Sequence, residues 1–437
     1  MTFLLVLLSI AILVLLIVWA KLNPFLAFLI ASICAGFLLG LPADQIAGSV
    51  QKGMGNLLGD LVIVIVMGAM LGKLVAESGA AQQIAGTLMK IFGKKYITWA
   101  MSLTGLIVGI PLFYNVGFVL LVPLAFTVAY QYKISAVYVG IPLLAALSVT
   151  HGFLPPHPSP AALVAQFEAN MGLTLFYGFL IAIPTIIIAG PIFARTLKNI
   201  EAKPLKTFQA ETKPEEALPG KLNSFLTALL PVFLLVGTTA LNLNTPENSP
   251  FAKLIGFISN PGIVMLISVL VATYTLGLRR KFSMPQLMDI YTIATKDIAM
   301  ILLIVAGAGA LKQIFTDTGV SQVIAESLQT WDIHPLILAW IITAIIRVCV
   351  GSATVAGLTT AGIIAPLVTT MNVDPNLLVL SIGAGSLMFS HFNDAGFWMY
   401  KEFFNVSIKD TIKSWSLMET LVAVIGLAGV LILDLFV

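Results

Sequence analysis

Charge is scarce in this chain. Only 10% of its 437 residues are Asp, Glu, Lys or Arg, and 59% are hydrophobic. Soluble domains carry about 25% charged residues. So few charges cannot cover a water-facing surface, which excludes a soluble globular protein and turns most of the exterior toward lipid. Cysteine is nearly absent. Cys34 and Cys349 both lie inside apolar runs, where they read as small buried hydrophobes, not as a disulfide or a metal pair. No metal-ligand spacing, P-loop or nucleophile elbow occurs, so no metal or cofactor is expected and ATP is not the direct energy source on this chain. Basic stretches mixed with aromatics are missing too, and the net charge of +3 carries no nucleic-acid signal.

What the sequence has is apolar runs of about 20 residues, the length that spans a bilayer. They fall at 2–18, 22–41, 57–76, 97–130, 137–171 and 173–194, and again at 223–242, 255–278, 297–315, 334–371, 377–404 and 414–436. The first run is apolar from Met1 to Val18, without a basic leader or a small-residue cleavage site. It is expected to be a membrane helix and not a removable signal. The polar, Lys-, Glu- and Pro-rich segment 201–222 reads as a linker between an N-terminal half, 1–200, and a C-terminal half, 223–437.

The halves resemble each other. Ser78 to Ala85 matches Thr318 to Ala325, and His151 and His391 keep the same offset of 240 residues. Blocks 97–130 and 334–371 are too long for one span, and neither has a charged turn. Each carries a Gly-rich polar centre, Gly109 to Gly117 in the first and Val350 to Gly357 in the second. Both are expected to be re-entrant hairpins, with irregular backbone lining a cavity. The following blocks break at Thr150–Pro158, where prolines stop a helix, and more mildly at Ser390–Gly396. Each half then crosses the membrane five times, one crossing being broken. An odd number inverts the second half relative to the first. The fold class is thus an all-α polytopic membrane protein of two inverted-topology repeats.

Basic residues test the topology, since cytoplasmic loops collect Lys and Arg. With the linker inside, Lys21, Lys90, Lys94, Lys95, Lys133, Arg279 to Lys281, Lys401, Lys409 and Lys413 all fall inside as well. Segments 42–56, 243–253 and 316–333 fall outside. Both termini are then external. The first hairpin opens to the cytoplasm and the second to the outside.

Hairpins and broken helices meeting near the midplane offer half-helix N-termini to an anion and free carbonyls and hydroxyls to a polyol or cation. Asn115 at the first tip and Ser352 and Thr354 at the second are candidate substrate ligands; the bland alternative is turn stabilisation or bonding back to their own helices. His151 and His391 are candidates for substrate binding and proton coupling, because histidine changes charge near neutral pH. Their alternative role is to bridge backbone groups freed by the breaks. His157 is a weaker candidate of the same kind. Asp394 is an acid candidate for the coupled proton, or an N-cap for a half-helix starting near Ala395. Arg347 either pairs with a substrate carboxylate or takes a structural partner. Lys73 and Lys312 are expected to snorkel, and Asp60 and Asp297 to cap spans at the membrane edge.

Four strings carry a family resemblance: GIPLFYNVGFVLLVPLAF, SVTHGFLPPHPSP, GSATVAGLTTAG and SHFNDAGFWMYKEFF. They resemble the gluconate permease family of bacterial symporters, within the ion-transporter superfamily, and the resemblance covers essentially the whole chain. It implies proton-coupled uptake of gluconate or a related sugar acid across the bacterial inner membrane, with D-serine among the substrates of relatives. Carried over by motif, the site comprises Asn115, Thr150, His151, His157, Ser352, Thr354, His391, Asn393 and Asp394. Some relatives carry an acid where Asn115 stands, which moves the proton carrier here toward His151, His391 or Asp394. Superfamily relatives tend to pair, so a homodimer is implied, though no interface is legible. The rival readings are a sodium-coupled carboxylate symporter, an intramembrane enzyme using His391 and Asp394, and a passive channel.

Overall fold

The computed structural model describes residues 2–202, 213–245, 249–319, 333–364, 373–391 and 394–437. Among these there are helices and turns but no strand. The first half holds α1 (Thr2–Val18), α2 (Pro24–Leu38), α3 (Ala43–Glu77), α4 (Ala80–Phe92), α5 (Ile97–Gly109), α6 (Tyr114–Tyr132), α7 (Ala136–Phe153), α8 (Pro158–Gln166) and α9 (Met171–Ile187). The second holds α10 (Lys221–Asn244), α11 (Ala252–Ile258), α12 (Pro261–Ala272), α13 (Met284–Asp317), α14 (Pro335–Val350), α15 (Ala353–Ile364), α16 (Pro375–Gly385), α17 (Ala395–Phe404), α18 (Ile408–Thr411) and α19 (Leu417–Leu433). Among the described residues six helices are long and apolar enough to cross a membrane, or seven if the bent α3 counts as one. Exposed Leu15, Phe37, Ile183, Phe233, Leu270 and Ile432 supply the apolar exterior that a lipid-facing surface requires.

Local chemistry sets the helix starts. Asn23 and Asn260 each precede a proline, and each side-chain oxygen accepts a backbone N–H of the first turn, from Phe25 and from Gly262 respectively. Ser283 and Gln286 form a reciprocal capping box at the start of α13. The two longest helices, α3 and α13, end alike. Gly79 (φ 84°) and Gly319 (φ 66°) follow them in the left-handed conformation that glycine adopts without strain.

These long helices correct the span boundaries. Segment 42–56, expected as an external loop, is mostly the first part of α3, which bends by 45° at Gly59–Asp60. Asp297 is likewise not a helix cap. It lies inside α13, where its carboxylate sits 3.6 Å from Lys73 Nζ, so Lys73 has a partner as well as a route to the interface. Lys312 Nζ donates to the Gln166 carbonyl at 2.9 Å. The side chain of Asp60 lies outside the described residues.

Helices α3 and α13 pack together along their length, in contact at Gly53 and Gly309. A Cβ on Gly53 would stand 2.3 Å from the Gly309 carbonyl oxygen, and one on Gly309 2.4 Å from that of Gly53. Only glycine lets two helix backbones approach so closely. A second close approach joins the broken helices of the two halves, where a Cβ on Gly383 in α16 would stand 2.4 Å from the Gly152 carbonyl in α7. Helix α7 is buried over nearly its whole length and forms the centre of the molecule.

The breaks fall where proline and glycine put them. Helix α5 stops at Gly109 and α6 resumes at Tyr114; α14 stops at Val350 and α15 resumes at Ala353. In both cases the two flanking helices pack against each other. Residues 365–371 of the second block lie outside the described residues.

The described part of the linker is pinned to the basic turns. Glu215 accepts from Lys90 at 2.7 Å, Arg280 donates to the Ala217 carbonyl at 2.7 Å, and Gln82 and Lys213 exchange two hydrogen bonds. The upstream end meets a second basic group, with Ser135 donating to the Ile200 carbonyl and Lys198 over the Tyr138 ring. The hydrogen bond and charge of Lys90 hold the Glu215 carboxyl below its usual range. Its contribution to stability is therefore present in neutral solution and lost on acidification. Being fully exposed, that contribution is weak.

Candidate functional site

The site is built where the chain breaks after α7 and α16 meet the turns between α5 and α6 and between α14 and α15. At the first tip α5 ends on Gly109, whose carbonyl has no partner within the helix. His157, between the prolines that end α7 and start α8, donates its Nε2–H to that carbonyl at 2.8 Å. Thr150 packs on the same point: a Cβ on Gly109 would lie 2.5 Å from Thr150 Oγ1, and the hydroxyl itself donates back to Leu147 at 2.9 Å. Both residues hold the tip. His157→Ala is expected to lower the unfolding temperature of the solubilised protein, since stranding a buried carbonyl costs about 1–3 kcal/mol. A raised KM with unchanged stability would instead make His157 a substrate ligand.

The second half repeats the device with another histidine. His391 Nε2 donates to the carbonyl of Val348, in the last turn of α14, at 2.9 Å. Ser352 caps α15, its hydroxyl accepting the Val355 N–H at 3.3 Å. Thr354 is half-buried in the first turn of α15, and among the described residues its hydroxyl makes no hydrogen bond. Asn115 is the second residue of α6, but its side chain lies outside the described residues, as does all of Asn393.

Arg347 and Asp394 form the centre. Arg347 is buried (3% exposed) and its Nη2 donates to Asp394 Oδ2. The same carboxylate accepts from the Ser390 hydroxyl, and its Oδ1 accepts the Gly396 N–H at 2.9 Å, capping α17. Ser390 in turn accepts from Trp415 Nε1 at 2.7 Å. The Trp415 ring stacks on Tyr400 at 5.6 Å and meets Tyr114 of the first tip at 6.1 Å. Tyr114 is 5.9 Å from the ring of His151, which is 5.5 Å from His157. Asp394 is within electrostatic reach of His151, Tyr114 and Glu419, and Arg347 within reach of His151 and Glu419.

Sequence reasoning missed four of these participants: Tyr114, Ser148, Trp415 and Glu419. Glu419 lies in α19, 2% exposed, and accepts a hydrogen bond from the Ser148 hydroxyl of α7. Its signal in the sequence was plain, since it is the one acid within Leu417–Leu433.

Several polar atoms here are buried without a partner: Arg347 Nε and Nη1, Tyr114 Oη and His151 Nδ1. Leaving a charged donor unmatched inside a protein is expensive, and the N–H groups on Arg347 Nε and Nη1 are each a donor that an anion's oxygen can accept from. Among the described residues no cluster of metal-ligating side chains accompanies them.

The model of the GntP family permease matches residues 1–436. The chain belongs to this family. As a GntP permease it is a multi-pass membrane transporter and not an enzyme. It is 46% identical to the high-affinity gluconate transporter of Escherichia coli (strain K12), over 100% of both chains. It is 43% identical to the Gnt-II system L-idonate transporter of the same organism, over 98% of this chain and 97% of that one. A gluconate permease of Bacillus subtilis (strain 168) is 42% identical over 100% of both. In fold this permease is similar to the Alcanivorax borkumensis YdaH transporter (TM-score 0.66, 16% identity, covering 94% of this chain and 96% of that one). Neisseria gonorrhoeae MtrF is similar to the same degree (TM-score 0.67, 15% identity, 94% of both chains).

Within this permease the ionisable groups of the site are unevenly shared. Arg347, Asp394 and Glu419 come from the second half, while Tyr114, Ser148 and His151 come from the first.

Proposed function

We propose that this permease carries gluconate or a closely related sugar acid across the bacterial inner membrane together with protons, by alternating access. The observation that carries the reading is the buried Arg347 guanidinium, beside Asp394, with the N–H groups of Nε and Nη1 unmatched. The substrate carboxylate docks there and shares the cation with Asp394, its resident counter-ion. The hydroxyls of the sugar chain meet Tyr114 Oη and His151 Nδ1, and Asn115, Ser352 and Asn393 are further ligand candidates by motif. The names of the 46%, 43% and 42% identical relatives, two for gluconate and one for L-idonate, support an aldonate as cargo.

The two halves act as inverted repeats around this site. Three matched devices support that view: the Asn–Pro helix starts at Asn23 and Asn260, the left-handed glycines after α3 and α13, and a histidine bonded to the last turn of α5 and of α14. The linker and the basic turns pinned to it lie in the cytoplasm by the positive-inside rule, which leaves both termini outside.

Labelled gluconate uptake into proteoliposomes tests the reading. Accumulation is expected to need an inward proton gradient and to ignore sodium. Sodium dependence would overturn the coupling. Uptake of L-idonate but not gluconate would keep the mechanism and change the cargo. No transport of either would overturn the function.

A further inference from the structure

We propose that the Glu419 carboxyl, in its hydrogen-bonded pair with Ser148, is the site that binds the co-transported proton. The inference rests on the transport reading above and names the residue that couples it.

The other acid and two of the three site histidines are already engaged, and the third, His151, is turned to the substrate hydroxyls in the reading above. Asp394 accepts from Arg347, Ser390 and the Gly396 N–H, so a proton placed on it must break one of these bonds. His157 and His391 each spend a ring nitrogen on a helix-end carbonyl. Glu419 differs. Among the described residues its one hydrogen bond comes from Ser148, and no cation lies within ion-pair distance of it. A hydroxyl is both donor and acceptor. Ser148 donates to the carboxylate when Glu419 is charged, and accepts from the carboxylic acid when Glu419 holds a proton. The pair therefore serves both states without rearranging its neighbours.

The surroundings supply the coupling. Of the elements packed against α19, α7 brings Ser148 and His151 to this level and α14 brings Arg347, with Asp394 and Tyr114 beyond them. The remaining titratable groups on these elements lie elsewhere: Lys413 and Cys349 are exposed, Tyr138 lies under Lys198, and Tyr177 is half-buried near Asp374. Tyr114 lies close to Ser148, Glu419 and Asp394. A substrate carboxylate at Arg347 and a carboxylate at Glu419 repel each other. Protonating Glu419 removes that repulsion, so substrate favours proton and proton favours substrate by the same factor. That reciprocity is symport. On release into the cytoplasm the proton leaves Glu419, and Ser148 turns back to donating.

The test uses the full-length permease in proteoliposomes with two assays, gluconate accumulation under an inward proton gradient and gluconate–gluconate exchange at equal pH. Glu419→Gln keeps the shape and the Ser148 contact but cannot release a proton. It is expected to exchange at a rate comparable to the unmodified protein, with no pH dependence, and to lose gradient-driven accumulation by about tenfold or more. Accumulation like that of the unmodified protein would overturn the proposal. Loss of exchange along with accumulation would also overturn it, making Glu419 a substrate ligand. If Glu419→Gln does not fold, Ser148→Ala decides: a displaced pH profile of exchange supports the pair, and an unchanged one removes it. If the unmodified protein neither accumulates nor exchanges gluconate, the transport reading itself fails.

Discussion

Arg347→Gln is expected to abolish gluconate accumulation. The side chain is 3% exposed and bonded to Asp394, and removing one partner of a buried pair costs about 3–5 kcal/mol, because the other charge is left alone. About 3 kcal/mol corresponds to roughly a hundredfold in affinity. Some of that loss falls on folding, and a second variant separates the two effects. Arg347→Gln with Asp394→Asn removes both charges, so the folded yield and the unfolding temperature recover while uptake stays absent. Arg347→Lys fails as well, because a single compact ammonium cannot serve Asp394 and reach a second carboxylate as the spread N–H groups of a guanidinium can. Recovery of uptake in the double variant would reduce Arg347 to a structural ion pair. The readouts are labelled uptake, and unfolding temperature by intrinsic fluorescence in detergent.

Gly53→Val and Gly309→Val are expected to prevent a stable fold. The added Cβ would stand 2.3 or 2.4 Å from a carbonyl oxygen of the facing helix. Overpacking typically costs about 1–3 kcal/mol when side chains can shift; here the obstacle is backbone, so the cost is at or above the top of that range. Gly48 and Gly55, in the same helix, have nothing within 4 Å of an added Cβ. Alanine there is expected to be neutral or stabilising by up to about 1 kcal/mol, the difference in helix propensity. Monodispersity on size exclusion and unfolding temperature compare the two sets. Equal behaviour at Gly53 and Gly55 would mean that α3 and α13 do not meet at this point.

Much of the architecture was legible because its punctuation is chemical. The breaks at Gly109–Tyr114, Phe153–Pro158 and Val350–Ala353 fall where glycine and proline stand, and the cap at Asp394 was read in place. The lengths of α3 and α13 were not legible. Their first turns carry Asp44, Gln45 and Lys52, or Gln286, Asp289 and Lys296, which read as loop when lipid exposure is the only criterion. The site divided in the same way. Arg347 and Asp394 stood out as charges in apolar surroundings, but no sequence rule shows that they pair. His157 looked like a ligand because its acceptor, the Gly109 carbonyl, is 48 residues away. Glu419 escaped notice because it follows the polar run Lys413 to Ser416 and so resembles a residue at the membrane surface, whereas packing against α7 draws it inside.

The uneven sharing of charge has an energetic consequence. In a carrier of two identical inverted halves, the outward- and inward-facing forms are images of each other and equal in energy. Here the guanidinium and both carboxyls ride with the second half, and the first supplies only hydroxyls and an imidazole. On the alternating-access reading proposed above, the two facing forms place these charges at different depths in the membrane. They differ in energy when empty, and the electrical potential across the bilayer acts on them unequally, at about 2.3 kcal/mol per charge for each 100 mV. On the same reading, this asymmetry shifts the populations of the two forms and the rates and affinities on the two sides, while the gradients alone set the direction of net transport.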